Sequence, residues 1–349
     1  MTTVSINLYI SINDHGFITT QDPKLQQRRE MSAEIPSGQL QVHNQETLPP
    51  QEIIDLFKVA FNNELYGKDD IDELQSQIQK VKTDLYNRDY VSAFNKENKR
   101  ISYCCRWSPS RAMAYASLFA HFKEIVQIVQ CHESDQEILC VGGGAGGELV
   151  ALASLFTPSR EFITKYSTSR PSDSPKRSLN IHIVDISDWS VVVDKLQSTI
   201  QERWLYAGES QHFHVQFDHN DILQMNEDQL SLSKLNLITL LFTTNELFAE
   251  NKQQSIRLLQ KFNQFCSSGC YLLITESAGS YSHITVGTKK FPIQFLIDTI
   301  LLGKKGQDST APWQLVYKTD STWYRCDPNI DYPMKLENTR IFYRLYKKL

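Results

Sequence analysis

Between Ile138 and Glu148 the chain reads ILCVGGGAGGE, an apolar run that exits into five glycines within six positions. A buried strand ending this way turns sharply, because residues without a Cβ accept conformations and close approaches that other residues resist. The following ELVALASLF reads as a helix, whose first N–H groups have no partner inside the helix and face any anion placed at the turn. Strand, glycine turn and helix start together predict a cradle for a nucleotide-type cofactor. The spacing Gly142-x-Gly144-x-x-Gly147 also meets the dinucleotide fingerprint, so this segment by itself leaves NAD and S-adenosylmethionine both open. A tight turn without a ligand is the plain structural alternative.

The surroundings favour an open α/β sheet. Strand 137–142 leads to helix 147–156, and strand 180–185 leads to helix 189–202. HFHVQFD and LNLITLLF read as a third and fourth strand, NKQQSIRLLQKFNQFC as a helix, CYLLITES as a fifth strand and FPIQFLIDTILL as another helix. Such alternation predicts parallel strands with helices on both faces. The chain finishes with WQLVYKT, TWYRC and RIFYRLYKK, three strand-like runs with no crossover helix between them, so pairing at that edge is antiparallel. The predicted fold class is a Rossmann-like α/β domain with a mostly parallel seven-stranded sheet, an antiparallel C-terminal edge and an N-terminal helical extension.

Within 349 residues the expected organisation is a polar, Gln-rich arm over 1–48, a helical extension over 49–105 and the cofactor domain over 106–349. PPQEIIDLFKVAFNNEL and IDELQSQIQKVKTDLY carry apolar residues at helical spacing. In WSPSRAMAYASLFAHFKEIVQIV, Ser108 reads as the cap and Pro109 as the first residue of a helix. Residues 157–179 form a Ser/Pro-rich insertion carrying Arg160, Lys165, Arg170, Lys176 and Arg177, either a solvated loop or a basic surface for substrate.

Two aspartates stand where strands end. Asp185 closes the second strand, where a carboxylate can accept both hydroxyls of a ribose; capping the next helix is its competing role, which Asp188 could equally fill. Asp221, in FDHNDIL after the third strand, resembles in position the residue with which methyltransferases of such a fold hydrogen-bond the adenine amino group; an ordinary turn residue is the competing reading. After the fourth strand, Thr243, Thr244, Asn245 and Glu246 would lie at the carboxyl edge of the sheet, beside any transferred group. Thr244, Asn245 and Glu246 are the catalytic candidates, with Glu246 able to act as a general base if burial raises its pKa, or simply to sit favourably at a helix start. Phe242 and Phe248 flank this loop as core residues or as a base-stacking platform.

Composition excludes several classes. The net charge of −4 argues against a generic nucleic-acid coat, whose affinity comes from phosphate neutralisation. Residues 1–135 hold 14 Lys/Arg against 18 Asp/Glu while the remainder is balanced, so a local basic patch toward the C-terminus stays possible. No run reaches the ~18 apolar residues of a membrane span, and MTTVSINLYISINDHG lacks the features of a signal peptide, so the expectation is an intracellular protein. The seven cysteines are odd in number and contain no C-x-x-C, which predicts reduced thiols. His212, His214 and His219 alternate along a strand, yet no carboxylate or cysteine spacing completes a metal site, so none is expected.

The antiparallel finish resembles the closing hairpin of the S-adenosylmethionine-dependent methyltransferase fold, and the ~75 residues after the fifth strand are too few for the second domain of a dehydrogenase. At Arg106-Trp107-Ser108-Pro109-Ser110-Arg111, followed by Ala112 and Tyr115, the chain resembles the fungal 25S rRNA (uridine(2843)-N3)-methyltransferases. These share the helical N-terminal part, the RWSPSR segment, the glycine-rich motif and a C-terminal W-x-R-x-D-like stretch. The likeness runs from about Leu85 to the C-terminus and is strongest at 103–116, 138–149, 238–248 and 313–345.

That resemblance implies methyl transfer from S-adenosylmethionine to N3 of a uracil in large-subunit rRNA or a pre-ribosomal particle. The expected setting is the nucleus or nucleolus and the cytoplasm, and the expected state is a monomer without a metal. Gly142, Gly143, Gly144 and Gly146 would form the cofactor loop, with Asp185 on the ribose and Asp221 on the adenine. Arg106, Trp107 and Arg111 are RNA-contact candidates by charge and stacking, or else cover the cofactor domain. One departure stands out: Cys140 and Val141 occupy the place where other methyltransferases commonly carry an acidic residue. Methylation of a protein or small molecule, or a catalytically silent binding role, are the rival readings.

Overall fold

In the computed structural model the described residues are 38–67, 70–160, 177–205, 208–278, 283–286, 289–303 and 311–349. Five strands run parallel: β1 (Gln136–Val141), β2 (Leu179–Asp185), β3 (Phe213–His219), β4 (Leu237–Leu241) and β5 (Tyr271–Ser277). Two more, β8 (Trp313–Tyr324) and β9 (Thr339–Lys348), close the sheet in the order β3-β2-β1-β4-β5-β9-β8, with β9 antiparallel to both neighbours. The expected mixed seven-stranded sheet is therefore the observed one. The expected runs WQLVYKT and TWYRC are not separate strands. They form the single strand β8, whose register slips between Leu315 and Tyr317 and again between Thr319 and Thr322. A small hairpin of β6 (His283–Val286) and β7 (Lys289–Pro292) stands apart from the sheet order.

β1 lies at the centre, paired parallel with β2 on one side and β4 on the other, and its last four residues are buried. One face of the sheet is covered by α5 (Glu97–His121), α6 (Lys123–Gln130), α7 (Gly147–Phe156) and α8 (Ser190–Arg203). The other is covered by α10 (Lys252–Phe265) and α11 (Ile293–Leu302). Every residue of α7 is buried, which is why ELVALASLF is apolar all round rather than on one stripe. Outside it pack α1 (Pro50–Ala60), α2 (Asn62–Tyr66), α3 (Asp70–Tyr86) and α4 (Tyr90–Phe94). A seven-residue helix, α9 (Thr244–Glu250), follows β4 directly.

The helix expected to start at Ser108 starts at Glu97 instead, and Pro109 sits in its interior. An interior proline deprives the carbonyl four residues earlier of its donor and costs ~3 kcal/mol. Here that carbonyl belongs to Cys105, and it accepts a hydrogen bond from the Tyr332 hydroxyl instead. Ser108 spends its hydroxyl on the Ala145 carbonyl in the glycine turn, 2.6 Å away. The proline is tolerated because a distant residue replaces the missing donor. α5 thus crosses the expected domain boundary at 105/106 without a break. Part of the expected arm is also built into the fold: Leu40 is buried, and its N–H bonds the Trp323 carbonyl at 2.7 Å. Residues 1–37 lie outside the described residues, as do Lys165, Arg170 and Lys176 of the insertion. Arg160 stacks on Phe156 and bonds the Gln130 carbonyl at 3.1 Å, so its charge faces inward.

Candidate active site

At the carboxyl edge, where the strand order reverses between β1 and β4, lies a cavity of about 600 Å³. Such switch points are where open α/β sheets hold ligands, and this volume falls in the range of small-molecule sites. Gly142, Gly143, Asp185, Asp221, Phe242 and Glu246 line it.

The glycine turn shapes its floor. Gly142 has φ +74°, and a Cβ there would lie 2.7 Å from the Thr243 side chain. Thr243 in turn donates its hydroxyl to the Val141 carbonyl at 2.9 Å, so the exits of β1 and β4 are clasped together. A Cβ on Gly144 would lie 2.2 Å from the Trp189 ring. The space at Gly144 is thus taken by a protein side chain, and its N–H points to Asp185 Oδ2 at 3.1 Å. Gly146 caps α7 with Leu196 behind it. Gly142 and Gly143 line the cavity, while Gly144 and Gly146 shape the turn.

Asp185 accepts from Gly144 on one oxygen and from the Ser187 N–H, at 3.0 Å, on the other. Burial pushes its carboxyl up to about 6, against those hydrogen bonds. Asp188, not Asp185, receives the Ser190 N–H at the start of α8. Asp185 is left facing the cavity. Asp221 binds the Leu223 N–H through Oδ1 at 2.9 Å and lines the same wall.

Glu148 stands beside the glycine turn. Its carboxylate is buried and accepts from the Thr239 hydroxyl at 2.6 Å; Thr239 is the β4 register partner of Cys140. A buried carboxylate thus stands beside the exit of β1, carried by the first turn of α7. Burial pushes it up to about 7, against the hydrogen bond from Thr239. One signal in the sequence could have found it: a single glutamate opening an otherwise apolar, fully buried helix.

The three catalytic candidates part company. Thr244 is buried, and its hydroxyl has no hydrogen-bond partner. Asn245 turns to Glu276, donating its N–H at 3.0 Å and its side-chain amide at 2.9 Å. Only Glu246 lines the cavity. Burial first, and then the neighbouring Glu276, push its carboxyl up to about 8. Glu276 itself is buried and raised to about 7 by that burial, despite the hydrogen bonds from Asn245. The pair was not anticipated, because Glu276 closes a strand thirty residues later. Of the two phenylalanines, Phe248 joins the core, whereas Phe242 holds φ +62°, an uncommon state for an aromatic residue and one that clusters at functional sites.

RWSPSR works as a set of ties. Arg106 is buried, bonding the Lys335 carbonyl at 2.9 Å and the Glu337 carboxylate. Ser110 accepts the Glu337 N–H at 3.0 Å. Trp107 packs on Tyr103 at 4.9 Å between centroids, and Arg111 lies 3.6 Å over the Phe242 ring, with Nη1 buried and unpartnered. Arg111 lines the main cavity and also a second one of about 120 Å³, shared with Trp107, Asn338 and Arg340. Among the described residues, no cluster of three or more His, Cys, Asp or Glu is arranged to hold a metal, and no helix is long and apolar enough to cross a membrane.

The sequence profile of the family described as "Putative SAM-dependent methyltransferase" matches residues 57–347. The 25S rRNA (uridine(2843)-N(3))-methyltransferase of Saccharomyces cerevisiae is 59% identical over 324 residues, 89% of each chain. Among solved structures, magnesium protoporphyrin IX methyltransferase from Synechocystis PCC 6803 with bound SAM superposes with a TM-score of 0.36 at 11% identity, covering 83% of this chain and 97% of that one. The N-methyltransferase NodS from Bradyrhizobium japonicum gives 0.36 at 11%, covering 69% and 97%. Family membership stands on the two sequence matches alone. With a switch-point cavity walled by glycines and carboxylates, this chain belongs to the S-adenosylmethionine-dependent methyltransferases, in the family of the fungal 25S rRNA (uridine(2843)-N3)-methyltransferases.

Proposed function

We infer that the protein transfers a methyl group from S-adenosylmethionine to N3 of a uridine in 25S rRNA. The observation that carries this reading is the 59% identity to the yeast enzyme across 89% of both chains. The cavity suits the cofactor by the chemistry of its donors. Asp185 and Asp221 offer carboxylate oxygens at successive strand ends for ribose and adenine. Glu148, buried and raised, offers the acid that would hold a cationic amino group. When bound, S-adenosylmethionine supplies an electrophilic methyl group on a positively charged sulfur.

The rest is the work of this chain's residues. Uracil N3 carries a proton and lies on the Watson–Crick edge, so the base must be unpaired or flipped to be reached. The N3–H bond breaks as the N3–methyl bond forms, and Glu246, a carboxylate lining the cavity after β4, would take the proton. Its raised pKa brings it toward the range useful to a base acting near neutrality. Asn245 holds Glu276 against the back of the loop, and burial first, with the Glu276 charge second, keeps Glu246 avid for a proton. Arg111, laid on Phe242 between the two cavities, and Trp107 beside it would meet the RNA. Arg106, tied to Glu337, would support that surface from within.

Such an enzyme would act on the large-subunit rRNA in a pre-ribosomal particle, in the nucleus or nucleolus and the cytoplasm, as a monomer. Mass spectrometry of rRNA nucleosides from cells with and without the gene tests the reading. Loss of 3-methyluridine from 25S rRNA is expected; an unchanged level would sink the acceptor assignment.

A further inference from the structure

We propose that Trp323, Arg325 and Arg340, on the outer hairpin of the sheet, hold the single-stranded RNA flanking the target uridine. This rests on the RNA-methyltransferase reading above and deepens it.

Three observations converge. First, the place is continuous with the active site. β9 starts where β5 ends, since Ile341 pairs with Ser277 and the Arg340 carbonyl accepts the Ala278 N–H at 3.0 Å. Trp323 is the register partner of Arg340 on β8, one strand further out. Strands lie ~4.8 Å apart, so the cluster stands about ~10 Å from the end of β5 along the edge that carries the cavity. The smaller cavity fills the interval: Arg111 and Phe242 bound it on the inner side, Asn338 and Arg340 on the outer.

Second, the charges there lack countercharges. The guanidinium carbons of Arg325 and Arg340 lie 4.7 Å and 5.8 Å from the centre of the Trp323 ring. Both arginines are exposed, and among the described residues no carboxylate forms an ion pair with either. Of the nearby acids, Glu337 holds Arg106, Asp320 holds Arg344, and Asp327 accepts from Asn329 rather than from either arginine. Two exposed guanidinium groups gathered on one ring make a locally positive site to which an anion lying over them is attracted.

Third, the arrangement is oriented in advance. Arg340 Nε donates to the Ser321 hydroxyl at 2.8 Å, which fixes the plane of its guanidinium, and the indole face holds Arg325. A planar donor fork fixed this way suits a phosphate, for which arginine is better matched than lysine. Arg111, with its buried unpartnered Nη1, extends the line of positive groups inward to the cavity. A uridine unpaired into the main cavity leaves its neighbours to follow the carboxyl edge outward, over Arg111 and onto the Arg340–Trp323–Arg325 face. The anionic partner is the RNA backbone, and Trp323 is a positioning residue for the two arginines.

The test measures fluorescence anisotropy of a labelled single-stranded oligouridine against the full chain over a salt series, with S-adenosylmethionine calorimetry on the same preparations. The pair Arg325→Gln/Arg340→Gln should weaken RNA binding about tenfold or more and flatten the slope of log K against log salt by ~1.4, since each lost phosphate contact removes ~0.7 on a single strand. Trp323→Ala should weaken it several-fold, and Trp323→Phe should restore most of the loss because a ring face survives. Cofactor affinity should not change in any of these variants. RNA affinity and salt slope equal to wild type in the double variant, with wild-type binding and methyl transfer intact, would overturn the track and leave the methyltransferase reading standing. Absence of oligouridine binding by the wild type would overturn the track, while the methyltransferase reading would still stand or fall on the 3-methyluridine content of 25S rRNA. Normal oligouridine binding with lost binding to pre-ribosomal particles would replace the RNA track by a protein contact.

Discussion

The two walls of the main cavity are built by different routes. On the β1–β2–β3 side, consecutive strand exits supply Gly142 and Gly143, Asp185 and Asp221, each at or just beyond the end of its own strand. On the β4–β5–β9 side, Arg111 from α5 and Phe242, just beyond β4, line the main cavity and share the smaller one with the 337–340 segment, with Glu276 of β5 bonded behind the loop to Asn245; α5 is tied across the sheet edge by Arg106, Ser110 and Tyr332. The first wall depends on turn geometry. The second depends on long-range closure, and it is the side that would meet an acceptor. A local wall suits a cofactor of constant shape; a wall assembled from distant segments is where a methyltransferase fold can be adapted to its own acceptor.

The largest effect is expected at the local wall. Gly144→Val drives a side chain into Trp189 and Asp185, and overpacking of this kind costs ~1–3 kcal/mol before any ligand is considered. Calorimetry should detect no S-adenosylmethionine binding, alongside a lowered melting temperature. Retained cofactor affinity would show that the turn does not shape the site.

Glu246→Gln tests the far wall. Loss of a general base lowers kcat by ~10²–10⁴, while cofactor affinity stays unchanged. Wild-type kcat/KM should rise with pH through about 8, because Glu246 must first give up its proton; that limb reflects the pair with Glu276 and should vanish in the variant. A variant with full activity would take the base elsewhere.

Glu148→Gln probes the buried carboxylate beside the exit of β1. Its folded-state carboxyl is raised to about 7 from an ordinary 4.5, so the unfolded chain ionises first and wild-type stability falls as pH climbs through that window. Melting curves across the window should show this slope reduced in the variant, with cofactor binding weakened about tenfold, near one lost charge-assisted contact. Unchanged binding would free the amino group from Glu148.

The smallest effect belongs to the clasp. Tyr332→Phe leaves the Cys105 carbonyl without its substitute donor, a loss of about 1 kcal/mol, read as a drop of a few degrees in melting temperature. A stability equal to wild type would mean that water satisfies the Cys105 carbonyl that Pro109 leaves without a donor.

Legibility in the sequence followed the same division. The order of strands, the antiparallel finish and the cofactor wall could be read because alternation, glycine clusters and acids at strand ends are local signals with fixed spacing. Glu246 was legible as a loop acid but not its partner Glu276, since nothing near either residue marks their proximity. RWSPSR was legible as a motif and misread as a helix start: Ser108 and Pro109 carry capping chemistry, yet the serine bonds Ala145 and the proline is excused by Tyr332.

By itself, the sequence determined the α/β class, the glycine turn over 142–147, the placing of Asp185 and Asp221 at strand exits, and, through RWSPSR, the family. Each of these follows from backbone geometry or from residues close together in the chain. Tertiary structure alone decided that Glu148 is buried beside the glycine turn against Thr239, that Glu246 shares its surroundings with Glu276, and that Arg111 is laid on Phe242. Burial and the proximity of distant segments set those relations, and both arise only once the sheet has closed.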